Sequence, residues 1–277
     1  MIYLERIPAA PLAGFVRALW YSHAPDLPLG RERMLPGGCV QVILNLARDF
    51  LLDCPEGTPA LRRPASLLVG ARSVYEIVDN SDMAELVGVV FEPGGFAQFV
   101  REPVDRFSNL TVGLEDVWGS SVHTLRDRLR ELPDPESKMQ LVEAFLLQQS
   151  AANLSRNALA RNPLVQFAVS RFGIAPGMTT VRDVAQAAGL SERRFSQLFR
   201  ERVGLSPKVW CRVQRFQRAV HQLHAGRDLP WAALALDCGF YDQAHFANEF
   251  RAFSGIDATT YSARRTQWAN HVPAGEA

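Results

Sequence analysis

The side chains best placed to do chemistry lie in Ser191-Glu192-Arg193-Arg194-Phe195-Ser196-Gln197-Leu198-Phe199-Arg200, where Glu192, Arg193, Ser196, Gln197 and Arg200 alternate with Phe195, Leu198 and Phe199. On a helix this spacing buries the apolar residues and turns the polar ones outward. A face that combines guanidinium, hydroxyl and amide groups can hydrogen-bond to a base edge or to a phosphate. Taken singly, each of these residues has a plainer reading as part of a solvated helix face.

The stretch does not stand alone. Gly239-Phe240-Tyr241-Asp242-Gln243-Ala244-His245-Phe246-Ala247-Asn248-Glu249-Phe250-Arg251 answers it: Phe195 to Phe246, Phe199 to Phe250, Arg200 to Arg251 and Gly204 to Gly255 are each offset by 51, whereas Gly189 and Gly239 differ by 50. The second copy therefore has one extra residue in its turn. Each copy has the parts of a helix-turn-helix. In the first, Thr180 caps a helix with Asp183 at its third position, Val181, Val184, Ala185 and Ala188 form its stripe, and Gly189 ends it. Ser191 then caps the helix that carries the polar face. In the second, Pro230 starts a helix with Trp231, Leu234 and Ala235 inward, Gly239 closes it, and Phe246 and Phe250 anchor the next. A helix from about Pro207 to His224 joins the copies, with Val209, Val213, Phe216, Val220 and Leu223 on its buried side. It spans about 27 Å, compatible with recognition helices one turn of DNA, about 34 Å, apart.

These two copies, their offset and the helix between them resemble the AraC/XylS family of transcriptional regulators over about residues 163–266. The match includes Gly204-Leu205-Ser206-Pro207 and Trp210. The chain departs from the family at Gly255-Ile256-Asp257-Ala258, at Tyr261-Ser262 and at Asn248. The resemblance implies base contacts from Arg193, Ser196 and Gln197 in the first copy and from Gln243, His245 and Asn248 in the second. It places phosphate contacts at Arg194, Arg200, Lys208 and Arg251. It also implies that Arg215 and Ala219 serve packing and a buried ion pair in the joining helix.

A chain of 277 residues is long enough for two domains. Residues 1–163 hold 16 Lys+Arg against 20 Asp+Glu and residues 164–277 hold 14 against 9, so the C-terminal part is basic and the remainder acidic. That asymmetry is the electrostatic footprint of a nucleic-acid-binding module. Cys39, Cys54, Cys211 and Cys238 are far apart and show no metal-ligand or disulfide spacing, which suits a reducing compartment. His221 and His224 sit one helical turn apart without a third ligand nearby, and no metal or cofactor is expected. The absence of a membrane-length apolar run and of a signal segment predicts a soluble, cytoplasmic protein.

Before the repeat, the first hundred residues read as β. Val40–Leu44, Ser66–Val69, Val74–Val78 and Leu86–Phe91 are short β-branched runs separated by turns at Pro36-Gly37-Gly38, Pro55-Glu56-Gly57 and Pro93-Gly94-Gly95. The expected fold class is α+β, with a β-barrel or sandwich and trailing helices at residues 1–150, a linker at 151–161 and the all-α domain at 162–268. The barrel resembles the cupin-like sensor module of AraC regulators. It lacks a metal set: His23 and His123 read as ordinary surface or hydrogen-bonded residues. Trp20, Tyr21, Tyr75 and Glu92 are the candidates for an effector pocket, each with a plainer reading as packing or as a solvated turn. After Gly113, Leu114, Val117, Trp118, Val122, Leu125 and Leu129 predict a helix with Arg126, Asp127, Arg128 and Arg130 outside. Asp134 then caps a second helix that runs to about Ser150.

The function that follows is sequence-specific promoter binding by a transcription activator or repressor. It would be controlled by a small-molecule effector or by homodimerisation, with RNA polymerase as a partner if it activates. A different class of function is a cysteine-dependent enzyme or alkyl-acceptor repair protein with Cys39 as nucleophile. A third is a regulator whose barrel only dimerises.

Overall fold

The computed structural model describes residues 1–25, 30–54, 59–154, 163–174, 179–226 and 229–275. The β-branched runs form strands, in order β1 (Ile2–Arg6), β2 (Val16–His23), β3 (Arg31–Met34), β4 (Gln41–Asn45), β5 (Phe50–Asp53), β6 (Leu61–Pro64), β7 (Ser66–Val69), β8 (Glu76–Asp79), β9 (Glu85–Phe91) and β10 (Thr111–Gly113). A further strand, β11 (His271–Pro273), comes from the C-terminal tail. The strands make two antiparallel sheets, ordered β1-β2-β9-β4-β7-β10 and β11-β3-β8-β5-β6. Among the described residues this is a pair of sheets and not a closed barrel. The free ends β10 and β6 come together at one side. In β4, Val42 and Leu44 are buried while Gln41 and Ile43 are half-buried, the period of a strand with one face in the core. All of β7 is buried, because both of its faces are covered.

Helices α1 (Glu115–Trp118), α2 (Ser121–Glu131) and α3 (Pro135–Leu154) follow. The single stripe expected after Gly113 is broken at Gly119, whose φ of 70° an L side chain rarely adopts. Arg126, expected outside, is buried: its Nε donates to the Asn45 carbonyl at 2.6 Å and its guanidinium meets Asp49 at 2.8 Å. The chain leaving β4 has carbonyls no strand pairs, and a long cation satisfies them. Asp134 caps α3 as expected, accepting from the Ser137 amide at 2.8 Å. That helix runs to Leu154, so residues 151–154 of the expected linker are helical. The rest of the linker, the Asn162 cap and the Pro55-Glu56-Gly57 turn lie outside the described residues.

The helical part comprises α4 (Pro163–Ile174), α5 (Val181–Ala187), α6 (Glu192–Val203), α7 (Pro207–His224), α8 (Trp231–Asp237), α9 (Gln243–Ser254) and α10 (Ala258–Arg264). The first helix-turn-helix is α5–α6 and the second α8–α9. Thr180 and Asp183 form a reciprocal capping box, and Ser191, Ser206 and Asp242 each accept a backbone N–H at the start of α6, α7 and α9. The extra residue of the second copy lies between Gly239 and the Asp242 cap. The departure at Asp257 is chemically mild. Its carboxylate caps α10, accepting from the Thr260 amide at 2.8 Å and from the Thr260 hydroxyl at 2.9 Å, as Ser206 caps α7.

The Thr260 hydrogen bonds hold the Asp257 carboxyl below its usual range. A lowered folded value means that the cap's contribution is present above the unfolded carboxyl value, about 3.9, and is lost as pH falls through the folded one. Asp257→Ala is expected to lower stability at neutral pH by about 1 kcal/mol, whereas Asp257→Ser keeps most of the cap. Denaturant unfolding should show the native chain's advantage over Asp257→Ser shrinking in acid; a pH-independent difference would remove the cap from the explanation.

Candidate nucleic-acid interface

In α6, Phe195 and Phe199 are fully buried, which forces the residues between them outward. Arg193 is exposed and has no hydrogen-bond or ion-pair partner among the described residues. Arg194 is also exposed, but it donates to Gln197 Oε1 at 3.2 Å, and Gln197 in turn donates to Glu201 at 2.9 Å. Ser196 is half-buried. Arg200 sits at the far end of the helix, where its Nε donates to Asp105 Oδ2 at 2.7 Å. Asp105 belongs to the short 3-10 turn Val104–Phe107 of the β-rich part, so this candidate phosphate ligand is held by a carboxylate.

The second unit is less engaged. Gln243, Asn248 and Arg251 are exposed. His245 is turned inward: its Nδ1 accepts from the Tyr241 amide at 3.2 Å and its ring meets the Phe240 ring edge-on at 5.6 Å. It braces the turn that the extra residue lengthens.

Between the units lies a cleft of about 1160 Å³, with Glu192 and His245 on its walls and Lys208, Arg212, Arg215 and Arg218 along the α7 side. These four cations recur at helical spacing on one face of α7. Lys208 is exposed. The ion pair expected of Arg215 is made instead by Arg212, whose Nη2 lies 2.6 Å from Glu249 of α9, one turn nearer the carboxylate. The Glu249 carboxyl is lowered by Arg212 against the opposing effect of burial. Arg215 stacks over Phe240 at 5.8 Å, and Arg218 donates to the Gly173 carbonyl.

The four effector-pocket candidates do not converge. Trp20 lies over Gly88 on the neighbouring strand, where a Cβ would come within 2.1 Å of its ring. Tyr21, its neighbour, points to the other face and donates to Glu85 at 3.0 Å. Glu92 pairs with Arg17 at 3.2 Å beside the interhelical cleft. Tyr75 lines a different, smaller cavity. Burial pushes the Cys39 thiol up, the opposite of what a nucleophile requires. Among the described residues no three His, Cys, Asp or Glu side chains are grouped to hold a metal, and no helix is long and apolar enough to cross a membrane.

Sequence reasoning missed Arg182 and Tyr241. Arg182 is exposed at the start of α5, beside Glu192 at 3.9 Å. Tyr241, 85% exposed, is in the lengthened turn. The count of one extra residue was the available signal for Tyr241, and the recurrence at 208, 212, 215 and 218 was the signal for the α7 cations.

Residues 184–264 match the family described as "Helix-turn-helix domain", and residues 4–113 match a "Domain of unknown function (DUF6597)". The chain is 33% identical over 92 residues to the arabinose operon regulatory protein of Escherichia coli, covering 33% of this chain and 31% of that one. The chain thus spans about a third of the length of the curated relatives it matches. Among solved structures, a transcriptional regulator with an AraC-type DNA-binding domain from Chromobacterium violaceum is 27% identical, with a TM-score of 0.35, over 40% of this chain and 98% of its own. ToxT from Vibrio cholerae is 9% identical with a TM-score of 0.49, over 94% of this chain and 98% of its own.

The Arg200–Asp105 pair is mostly exposed on the arginine side and so contributes at most about 1 kcal/mol. Asp105→Asn is expected to raise affinity for duplex DNA by about two- to fivefold at low salt. Fluorescence anisotropy titrations check it. An equal gain in an Arg200→Ala background would show that Asp105 acts through something other than Arg200.

Proposed function

We propose that this chain, whose residues 184–264 are a helix-turn-helix domain of the AraC type, is a sequence-specific regulator of transcription that binds promoter DNA with both of its units. The observation that carries the reading is that α6 and α9 are anchored alike by buried phenylalanines while Arg193, Gln243, Asn248 and Arg251 remain exposed. Unpaired donors held on rigid helices are what base and phosphate recognition requires.

In this reading Arg193 takes guanine O6 and N7, and Gln243 and Asn248 suit adenine N6 and N7. Ser196, Gln197 and His245 stand behind them, the last two already engaged in the protein. Arg194, Lys208, Arg251 and, once released, Arg200 hold phosphates. Residues 162–268 form the DNA-binding domain and 1–150 the sensor. The protein works in the cytoplasm, with a small-molecule effector or homodimerisation setting how the two units lie on the promoter. RNA polymerase is the further partner if the outcome is activation.

Two variants separate reading from positioning. Arg193→Ala is expected to cost about 1 to 3 kcal/mol on the preferred site and to relax preference at one guanine. Lys208→Ala should weaken all sequences alike and reduce the salt slope by about one unit. In-vitro selection of bound duplexes, followed by titration across salt, measures both; a wild-type chain that selects no sequence would sink the reading.

A further inference from the structure

One cavity and one segment of chain are left unused by the DNA reading, and they adjoin. The cavity, about 550 Å³, opens where the sheet ends β10 and β6 meet, and is lined by Arg63, Arg72, Tyr75, Glu76, Leu110 and Val112, among others. That volume suits a small organic molecule. Its charges are already paired: Arg72 lies 2.5 Å from Glu76, and Arg63 lies 2.9 Å from Asp53. Arg72 also donates to Thr111 Oγ1 at 2.5 Å. The Nε of Arg72, however, is buried without a partner. A buried donor left unpaired is costly, and an acceptor brought by a ligand would relieve it. A net charge on that ligand would find no free counter-charge among these pairs.

The cavity wall that carries Arg72 and Tyr75 is the connection between β7 and β8. The same connection reaches the ends of both recognition helices. Gly204 and Gly255 end α6 and α9 in the left-handed conformation, with φ of 96° and 73°. A Cβ on Gly204 would lie 3.1 Å from Ala71 Cβ, and one on Gly255 would lie 2.5 Å from the Tyr75 ring. Ala71 and Tyr75 are thus seated on the equivalent caps of the two repeats. The Tyr75 ring is also held by Arg33, whose guanidinium carbon is 4.7 Å from its centroid. Ser108, just before β10, donates to the Gly204 carbonyl.

We propose that this cavity binds a small uncharged molecule with a hydrogen-bond acceptor for Arg72 Nε and an apolar flank for Leu110 and Val112, and that residues 70–75 transmit its presence to both recognition helices at once. A ligand that reorients Arg72 displaces a connection pinned at two helix ends, so the two units shift together. Burial also pushes the Glu76 carboxyl up, the cost of holding a carboxylate away from water. The regulatory half of the proposal rests on the DNA-binding reading above; the cavity half does not.

The test uses the full chain and ε-caprolactam, a neutral cyclic amide with a carbonyl acceptor and a methylene flank, with hexanoate as the charged control. Saturation-transfer NMR and calorimetry should show saturable binding of the lactam and none of hexanoate. Leu110→Trp, a change at an exposed position on the cavity wall, should abolish that binding. Equal binding by hexanoate, no saturable binding of the lactam, or retention in Leu110→Trp would each overturn the cavity assignment. On a selected duplex the lactam should change affinity by about fivefold or more. Ala71→Gly, which loosens the contact with Gly204 without lining the cavity, should bind the lactam normally and lose most of that change; a full response in this variant would overturn the coupling. A chain that binds the lactam but no duplex would support the cavity while removing the regulator reading.

Discussion

The two units hold their places because α7 presents a large aromatic side chain to each. Trp210 packs against Phe199 of α6 at 5.9 Å and Phe172 of α4 at 6.3 Å, while Phe216 packs against Phe250 and Phe253 of α9 at 5.2 and 5.3 Å. The two anchors lie six positions apart in the sequence, about 9 Å along the helix axis. Each anchor fixes one recognition helix to the same rod, so the spacing between the units is a property of a single helix and not of a flexible connection. Emptying either site of its ring would cost about 3 to 5 kcal/mol, a large share of what holds a domain of this size together. The Arg212–Glu249 pair adds a polar clasp beside the second anchor.

A different face of α7 meets the β-rich part, and there the chemistry changes. Gln217 is buried and donates to the Pro36 carbonyl and to Asn270 Oδ1, both at 2.9 Å, and Gln214 reaches the Gly37 carbonyl at 3.4 Å. The tail completes the joint by adding β11 to the edge strand β3, with His271 3.0 Å from Glu32 and Val272 fully buried. Hydrogen bonds of this kind add little net stability when water can replace them, but they demand one geometry. These polar contacts sit beside apolar ones, Val213 against Gly38 and Val165 against Gly94, so the joint between the two parts combines hydrogen bonding with a core that continues across it.

The helical part was readable from sequence because its signals are local and doubled. Ser191, Ser206 and Thr180 cap the helices that their spacing implies, and the offsets of 50 and 51 locate the lengthened turn to within a few residues. The sheets were half readable. Runs such as Leu86–Phe91 announce themselves, but Leu61–Pro64 is mostly exposed, with two arginines and a proline among its four residues, and it is a strand only because β5 pairs with it. No local pattern marks His271–Pro273, whose partner is some 240 residues away. The four pocket candidates do not share one cavity for the same reason: Tyr75 lines one and Glu92 another, while Trp20 and Tyr21 face opposite sides of β2. Chemical type was a fair guide to which residues line a cavity, as Tyr75 does, but which side of which strand each one faces is set by pairing register. Arg126 shows the converse, a cation whose burial is dictated by carbonyls in a distant turn.

The state of the cations bears on how the protein would hold a polyanion. The C-terminal part has an excess of basic residues, yet Arg212 is committed to Glu249, Arg200 to Asp105, Arg215 to the Phe240 ring and Arg218 to a carbonyl. Among the described residues, that leaves Arg193, Arg194, Lys208 and Arg251 as the exposed cations on the two units and the helix between them that no carboxylate holds, Arg194 donating only to the Gln197 amide oxygen. Each phosphate neutralised releases about one counterion, so few free cations mean a shallow salt dependence and weak binding to arbitrary sequence. In the reading proposed above, affinity would then come from base contacts made by both units together, which only a correct relative placement allows. A protein built this way would gain little from DNA it does not recognise, and its occupancy of DNA would follow whatever sets the position of α6 and α9.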